Sequence, residues 1–176
     1  MVTSNIIDKF AFGSSSDAAD VANLTIARHR GGGCTSSTHG YHIGGHNNGT
    51  SYDRIDKYQY SSDANATDVG DALAADTRYV GTEDDDTFGY LQGRTGDTTQ
   101  VARFSFSTDG DAVDVGNLNR DGTEGGGCTS LTFGYNYRSQ TAADDIQKHD
   151  FSTSITMTDV GELSVSRLEG STGSQG

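Results

Sequence analysis

The sequence of 176 residues contains no proline and no tryptophan, and it has only two cysteines. Without proline, its turns depend on residues that adopt positive φ easily, and 24 glycines are available for this. No stretch of about 18 apolar residues is present, so the sequence predicts no membrane-spanning helix. The N-terminus, MVTSNIIDKF, lacks a basic segment followed by an apolar core, so no signal peptide is visible.

Basic residues are also scarce. Twelve Lys and Arg stand against 25 Asp and Glu, which gives a formal net charge of −13 and a pI of about 4.4. Binding to a nucleic-acid backbone relies on clustered Lys and Arg, so we expect no nucleic-acid partner. An acidic chain stays soluble and suits salty surroundings outside cells. With no signal peptide visible, a virus particle is one route to such surroundings, and the expected location is virion or extracellular.

One phrase occurs four times along the chain. Its copies are IIDKFAFGSSSDAADVANL (6–24), IDKYQYSSDANATDVGDAL (55–73), QVARFSFSTDGDAVDVGNL (100–118) and DIQKHDFSTSITMTDVGEL (145–163). The aromatic anchors of the copies, Phe12, Tyr60, Phe106 and Phe151, are 48, 46 and 45 residues apart. The valines of the Asp-Val pairs, Val21, Val69, Val115 and Val160, give the same three spacings. Such a period is typical of proteins whose repeated units stack on one another.

Each repeat consists of short strand patterns separated by turn signals. Apolar or aromatic residues alternate with polar ones in the phrase, which predicts a β-strand, and Ser, Asp, Asn and Gly then mark a turn before a second strand. A glycine-rich segment follows, and in it a glycine precedes a tyrosine: His39-Gly40-Tyr41, Phe88-Gly89-Tyr90 and Phe133-Gly134-Tyr135. The fixed glycine predicts a tight hairpin turn at positive φ. We therefore expect an all-β fold of four-stranded antiparallel units.

The order of motifs is clearest from Arg28 to Leu73. An arginine and a strand of small residues are followed by Gly-Tyr, Gly-Gly, Ile-Asp-Lys-Tyr and finally Thr-Asp-Val before a leucine. This order resembles the kelch-type β-propeller repeat, and it is most similar to the degenerate kelch-like repeats of marine bacteriophage and algal-virus proteins. The resemblance covers about residues 5–168. It implies a propeller-like array of short four-stranded blades.

The sequence departs from the kelch pattern in two ways. The tryptophan of a typical kelch blade is replaced by Ala66, Ala112 or Met157, and the double glycine remains only as Gly44-Gly45. Blades built in this way bury less aromatic area between them.

We interpret residues 1–176 as a single repeat domain. Its units are a half blade (5–28), three blades (29–78, 79–120 and 121–168) and a tail (169–176). The sequence has three Gly-Tyr segments but four copies of the phrase, so we expect open half blades at the two termini. Either the tail supplies an inner strand and closes a small ring, or open strand edges pair with other copies of the chain. We favour pairing between chains, because kelch propellers have more blades than this chain supplies.

The two cysteines, Cys34 and Cys128, occupy equivalent positions within GGGCTS in two repeats. We expect two small buried thiols that fill equivalent places. A disulfide requires that those places face each other, and the sequence leaves this open.

Histidines and asparagines are concentrated in THGYHIGGHNN. The candidate ligand-binding residues are His42, His46, Asn47 and Asn48, and a cell-surface glycan is the ligand considered. His39, His42 and His46 also have a spacing compatible with metal binding. Strand geometry, however, directs His39 and His42 to opposite faces, so turn or surface histidines are the favoured interpretation.

A second candidate is a calcium loop beginning at Asn117. Asn117, Asn119 and Asp121 lie at alternate positions and Gly122 at the sixth, as in an oxygen-ligand loop. The twelfth position, where a bidentate glutamate is expected, is Cys128. An acidic solvated turn is therefore the alternative to a calcium site.

No catalytic motif is present: there is no Gly-x-Ser-x-Gly, no Gly-Lys-Ser and no Cys-x-x-Cys. We expect a non-enzymatic structural or binding protein, such as a phage tail, fibre or decoration component of a virion, or part of another extracellular assembly. Its expected partners are copies of itself, other virion proteins or a glycan, and calcium is the only cofactor considered. The alternatives are a glycan-recognising module or glycan-active enzyme, since sequence spacing does not show carboxylate separations, and an intracellular kelch adaptor.

Overall fold

The computed structural model describes residues 3–75, 81–93, 99–120, 125–137, 144–151 and 155–165. Every regular element in these ranges is a β-strand. The expectation of an all-β fold is therefore confirmed. Within the same ranges, no helix is long and apolar enough to cross a membrane.

The strands form one short sheet and three larger ones. The short sheet, called here the N-terminal hairpin, consists of β1 (Ser4–Lys9) and β2 (Ala19–Arg28). Sheet 1 consists of β3 (Gly32–Thr35), β4 (His39–Asn47), β5 (Thr50–Gln59) and β6 (Thr67–Asp71). Sheet 2 contains β7 (Gly81–Asp84), β8 (Phe88–Gln92), β9 (Gln100–Ser105) and β10 (Val113–Asn117).

Sheet 3 consists of β11 (Gly126–Thr129), β12 (Phe133–Tyr137), β13 (Asp145–Asp150) and β15 (Thr158–Glu162). The intervening β14 (Ile155–Thr156) adds to the edge of sheet 2, parallel to β10. In each larger sheet, successive repeat strands are antiparallel neighbours. The N-terminal hairpin corresponds to the third and fourth strands of a repeat.

The glycine of each Gly-Tyr pair lies inside a strand, so the predicted hairpin turn at this position is wrong. Gly40 pairs with Tyr58 on the neighbouring strand, and Gly89 and Gly134 pair with Phe104 and His149. A side chain on Gly40 would collide with the ring of Tyr58. The glycine is needed because a ring from the third strand covers it.

The turns lie a few residues earlier and are closed by side chains. The hydroxyl of Ser36 accepts a hydrogen bond from the backbone N–H of His39 at 3.0 Å. The carboxylate of Asp85 accepts one from Phe88 at 2.7 Å. Short polar side chains therefore stabilise these turns, as Asx and Ser turns do elsewhere.

The repeated Asp-Val-Gly phrase forms the contact between neighbouring units at the fourth strand. The backbone N–H of Ala112 donates to the carbonyl oxygen of Asp71 at 2.8 Å. Gly70, at the third position of the phrase, faces the backbone of Gly110, and any side chain there would collide with it. The sheets approach each other backbone to backbone at this place, which explains the glycine in the phrase.

The apolar residues are buried between the sheets. One core cluster joins sheets 1 and 2 and includes Tyr41, Ile55 and Phe104. A second joins sheets 2 and 3 and includes Tyr90 and Val101. The three larger sheets thus bury apolar faces against one another at both of their junctions, as the repeat pattern predicts.

The two cysteines differ in environment. Both are free, Cys34 being buried and Cys128 exposed. The expectation of two buried thiols is therefore right for Cys34 and wrong for Cys128. The reason is positional: sheet 2 covers Cys34, whereas the part of the chain that the structure describes places no further sheet beyond sheet 3.

Candidate functional site

The junction between sheets 1 and 2 encloses a tyrosine. Tyr41 on β4 is 2% exposed. Its ring stacks on Phe106 with centroids 4.8 Å apart and meets the edge of Phe104 at 5.3 Å. Ile55 and Val69 belong to the same cluster and come from the sheet that carries Tyr41. The tyrosine of one unit is therefore held by two aliphatic side chains of its own unit and two rings of the next.

The junction between sheets 2 and 3 repeats this arrangement. Tyr90 on β8 is fully buried, with its ring centroid 5.1 Å from that of Phe151 and 5.5 Å from that of His149. Val101 and Val115 of sheet 2 belong to this cluster. The Gly-Tyr tyrosine thus joins consecutive units at both internal junctions.

A pocket of about 370 Å³ lies at the corresponding place between the N-terminal hairpin and sheet 1. Its walls include Ile7 and Val21 from the hairpin and Tyr58 and Tyr60 from the end of β5. By repeat position these four residues match the four that enclose Tyr41. Among the described residues, no strand that carries a Gly-Tyr tyrosine pairs with the hairpin, so the walls are present without the ring that they hold elsewhere.

Aromatic and polar side chains form the rim of this pocket. Phe10 and Phe12 are 58% and 97% exposed, and their rings meet edge to face with centroids 5.3 Å apart. The ammonium of Lys9 lies 3.0 Å from a carboxylate oxygen of Asp63 across the opening. Burial and the neighbouring Tyr58 raise the pKa of Tyr60 to about 12, so its hydroxyl keeps its proton at neutral pH. The pocket, called here the N-terminal pocket, combines an aromatic wall with hydrogen-bonding groups.

The strand beside this pocket has an open edge. β5 lies between β4 and β6, and β9 and β13 are likewise paired on both sides. β1 is the equivalent of these strands but pairs only with β2 among the described elements. Its second edge therefore carries backbone groups that can accept another strand.

The four predicted ligand-binding residues do not line the N-terminal pocket. His46 meets the ring of His29 at a centroid distance of 5.6 Å, and the amide of Asn47 donates to the carbonyl oxygen of Ala27 at 2.8 Å. Asn48 lies in the turn between β4 and β5 with φ of 48°. These three residues connect the β4 end to β2 or shape a turn, and their proposed role in binding stays a prediction.

The fourth residue, His42, belongs to a polar cluster that sequence reasoning missed. Arg28 and Asp56 form an ion pair at 2.9 Å, with both side chains fully buried between the hairpin and sheet 1. The carboxylate of Asp56 also accepts hydrogen bonds from the hydroxyl and backbone N–H of Thr25, at 2.6 and 3.0 Å. Arg28 donates to the carbonyl oxygen of His42 at 3.2 Å. Burial and the Arg28 guanidinium lower the pKa of His42 to about 4.

The calcium hypothesis concerns Asn117, Asn119 and Asp121. Asn117 is the last residue of β10, and the backbone N–H of Asn119 donates to the side-chain oxygen of Gln147 at 2.9 Å. Asp121 lies outside the described residues. Among those that are described, no three His, Cys, Asp or Glu side chains are grouped so as to hold a metal ion. The calcium site stays a prediction.

No protein-family model and no curated protein matches this chain. The kelch resemblance therefore stays a prediction made from the quoted motifs. The pocket, its aromatic wall and the open edge of β1 are the features on which a function can be argued.

Proposed function

We propose that this protein is a non-enzymatic structural and binding component of a virus particle or another extracellular assembly. The observation that carries this proposal is the N-terminal pocket beside the open edge of β1. Both internal junctions use the same arrangement of side chains to join one unit to the next. A pocket with the walls of such a junction, beside an open strand edge, is suited to association with another chain.

The kelch-like, propeller-type arrangement of blades is part of the proposal. It is supported by three larger sheets that follow one another along the chain, and by a spacing of 45 to 48 residues between repeats. The N-terminal hairpin is then a half blade. Association between copies would continue the stack of blades beyond one chain.

Two buried polar pairs favour a structural over a catalytic role. The Arg28–Asp56 pair connects the hairpin to sheet 1, and the Glu83–His149 pair connects sheets 2 and 3. None of the four side chains lines the N-terminal pocket. These four buried side chains are thus engaged between sheets.

Sedimentation of the intact 176-residue chain tests association. A monomer has a mass of 18.5 kDa, and we expect a larger species at micromolar concentration. The change Phe12→Ala removes an exposed ring from the pocket rim and should weaken association without changing thermal stability. Val113→Ala, at a residue that is 54% exposed on β10 of sheet 2, is the control for loss of any exposed apolar side chain. A monomer at every concentration would refute self-association.

Glycan recognition is the second candidate function, and the composition of the pocket favours it. Aromatic rings stack on the apolar faces of sugars, while polar groups such as Asp8, Gln59 and Ser62 supply hydrogen bonds. On a glycan array, this function predicts selective binding that both Phe12→Ala and Tyr60→Phe reduce. An array without selective signals would remove this candidate.

A further inference from the structure

The position beside β1 is that of a second repeat strand. In sheet 1, Tyr41 on the second strand stands opposite Lys57 on the third. Tyr90 likewise stands opposite Arg103. Lys9 is the residue of β1 at the equivalent place. A strand that paired with β1 in this register would place its tyrosine opposite Lys9 and at the N-terminal pocket.

The first strand of each repeat adds a second contact at the junction. Cys34 belongs to the cluster that contains Phe104, and its sulfur lies next to Gly89. At the next junction the equivalent residue is Glu83, whose carboxylate lies 2.6 Å from His149. The first-strand residue thus suits the ring that it contacts in the next unit. The thiol of Cys34 packs near the phenyl ring of Phe104, and the carboxyl group of Glu83 contacts the imidazole of His149.

The open pocket presents the neutral version of this pair. Tyr58 stands where Phe104 and His149 stand in the other two units. A tyrosine side chain carries no positive charge with which to balance a carboxylate, and burial raises the pKa of Tyr58, so its ring stays neutral. A buried, unpaired carboxylate is strongly unfavourable. The pocket should therefore accept the Cys34 type of first strand and reject the Glu83 type.

We infer that the N-terminal pocket binds a β-hairpin of the same repeat type, added to the open edge of β1. The hairpin carries a small uncharged residue on its first strand and a Gly-Tyr pair on its second. The tyrosine fills the space between Ile7, Val21, Tyr58 and Tyr60. This inference rests on the proposed assembly function and specifies its partner; strand addition of this kind is a common mode of recognition.

A synthetic peptide of residues 31–47, which contains Cys34 and Tyr41, is the probe. It carries a fluorescent label and is titrated under reducing conditions into the intact chain, with anisotropy as the readout. We expect saturable binding. The peptide changes Tyr41→Ala and Cys34→Glu should each weaken it by at least about tenfold, through loss of the buried ring and burial of an unpaired charge.

A substitution in the pocket tests directly whether the ring at position 58 decides between an uncharged residue and a carboxylate on the first strand of the bound hairpin. In a chain with Tyr58→His, the ring that faces the first strand resembles His149, so the Cys34→Glu peptide should regain affinity and the parent peptide should lose it. Tyr58→Phe is the matched control, because it keeps a neutral ring and should keep the preference for cysteine. If Tyr58→His does not fold by circular dichroism, Tyr58→Phe and the three peptides still decide the question.

The outcomes separate this inference from the proposed function. If the chain self-associates and Phe12→Ala weakens that association, but no peptide binds, the hairpin inference is wrong and assembly stands. If the peptides bind with the expected preference while the chain alone stays monomeric, the hairpin inference stands and self-association does not. Equal binding of the parent and Tyr41→Ala peptides, or occupation of the pocket by a glycan alone, would overturn the inference.

Discussion

A carboxylate oxygen of Glu83 lies 2.6 Å from Nε2 of His149, and both side chains are fully buried between sheets 2 and 3. Cys34 and Phe104 occupy the same two repeat positions between sheets 1 and 2, where they belong to an apolar cluster. The same two repeat positions thus hold a hydrogen-bonded polar pair at one junction and an apolar pair at the other. Since each pair involves two units, the two positions of a pair must match each other.

The matching can be tested by exchanging one pair for the other. We expect Glu83→Cys and His149→Phe each to lower the free energy of unfolding by about 3 kcal/mol, because each leaves a buried polar partner unpaired. The double variant recreates the first junction and should lie within about 1 kcal/mol of the parent. Urea denaturation of the four proteins gives the interaction energy. Additive losses would show that the two positions are independent.

The second prediction concerns the pH dependence contributed by His42. Its pKa is lowered to about 4 by burial and by Arg28, with a smaller opposing effect of Asp56. The unfolded chain takes up a proton near pH 6.5, which the folded protein resists until about pH 4, so stability falls as pH decreases through this range. Because a small part of the side chain is exposed, we expect a loss of about 2 kcal/mol rather than the full value of the shift.

His42→Leu is the control for this titration, since Leu91 occupies the equivalent position in sheet 2. Denaturant unfolding at several pH values should show the parent losing stability relative to His42→Leu between pH 6.5 and 4. Parallel curves for the two proteins would mean that His42 does not resist protonation in the folded state.

The sequence predicted the strands better than the role of the residues within them. Alternation around Tyr58 and Phe104 identifies a strand, because alternation is a local property. The Gly-Tyr glycine was assigned to a turn, because the ring that covers Gly40 comes from the next strand and sequence spacing does not show this. Likewise, Cys34 and Cys128 share one motif, and only the arrangement of the sheets shows that one of them is covered.

One feature of the sequence points to the N-terminal pocket, although only the structure shows which residues line it. Three Gly-Tyr segments stand against four copies of the repeated phrase. The first copy of the phrase, at residues 6–24, is the one that no Gly-Tyr segment precedes. The structure adds that Tyr58 and Tyr60 are the rings left without a Gly-Tyr tyrosine. The Arg28–Asp56 pair gave no such signal, because a charged residue in a strand pattern is ordinarily expected to face water.

The third prediction compares two glycines of the Asp-Val-Gly phrase. Gly70 faces the backbone of the next unit, whereas a side chain at Gly161 would have nothing within 4 Å. Gly70→Ala should therefore lower the free energy of unfolding by about 2 kcal/mol or more through backbone displacement. Gly161→Ala should be neutral or slightly stabilising, because alanine restricts the unfolded chain. Thermal unfolding of both variants makes the comparison, and similar effects would exclude a special role for the junction.

The fourth prediction concerns the reactivity of the two thiols, Cys34 and Cys128, which occupy equivalent positions on the first strands of sheets 1 and 3. Burial and the nearby Asp84 raise the pKa of Cys34 well above its usual value, and sheet 2 covers its sulfur. We therefore expect a thiol reagent to modify Cys34 only as fast as the protein opens, while the exposed Cys128 reacts directly. The Cys128→Ser variant isolates the slow reaction.

The modification rate of Cys128 also tests association. Cys128 stands at the junction position of sheet 3, so association through that end should slow its modification as protein concentration rises. The Cys34→Ser variant isolates this effect. A rate for Cys128 that does not change with concentration, in a chain that associates by sedimentation, would show that this end of sheet 3 is not the contact surface.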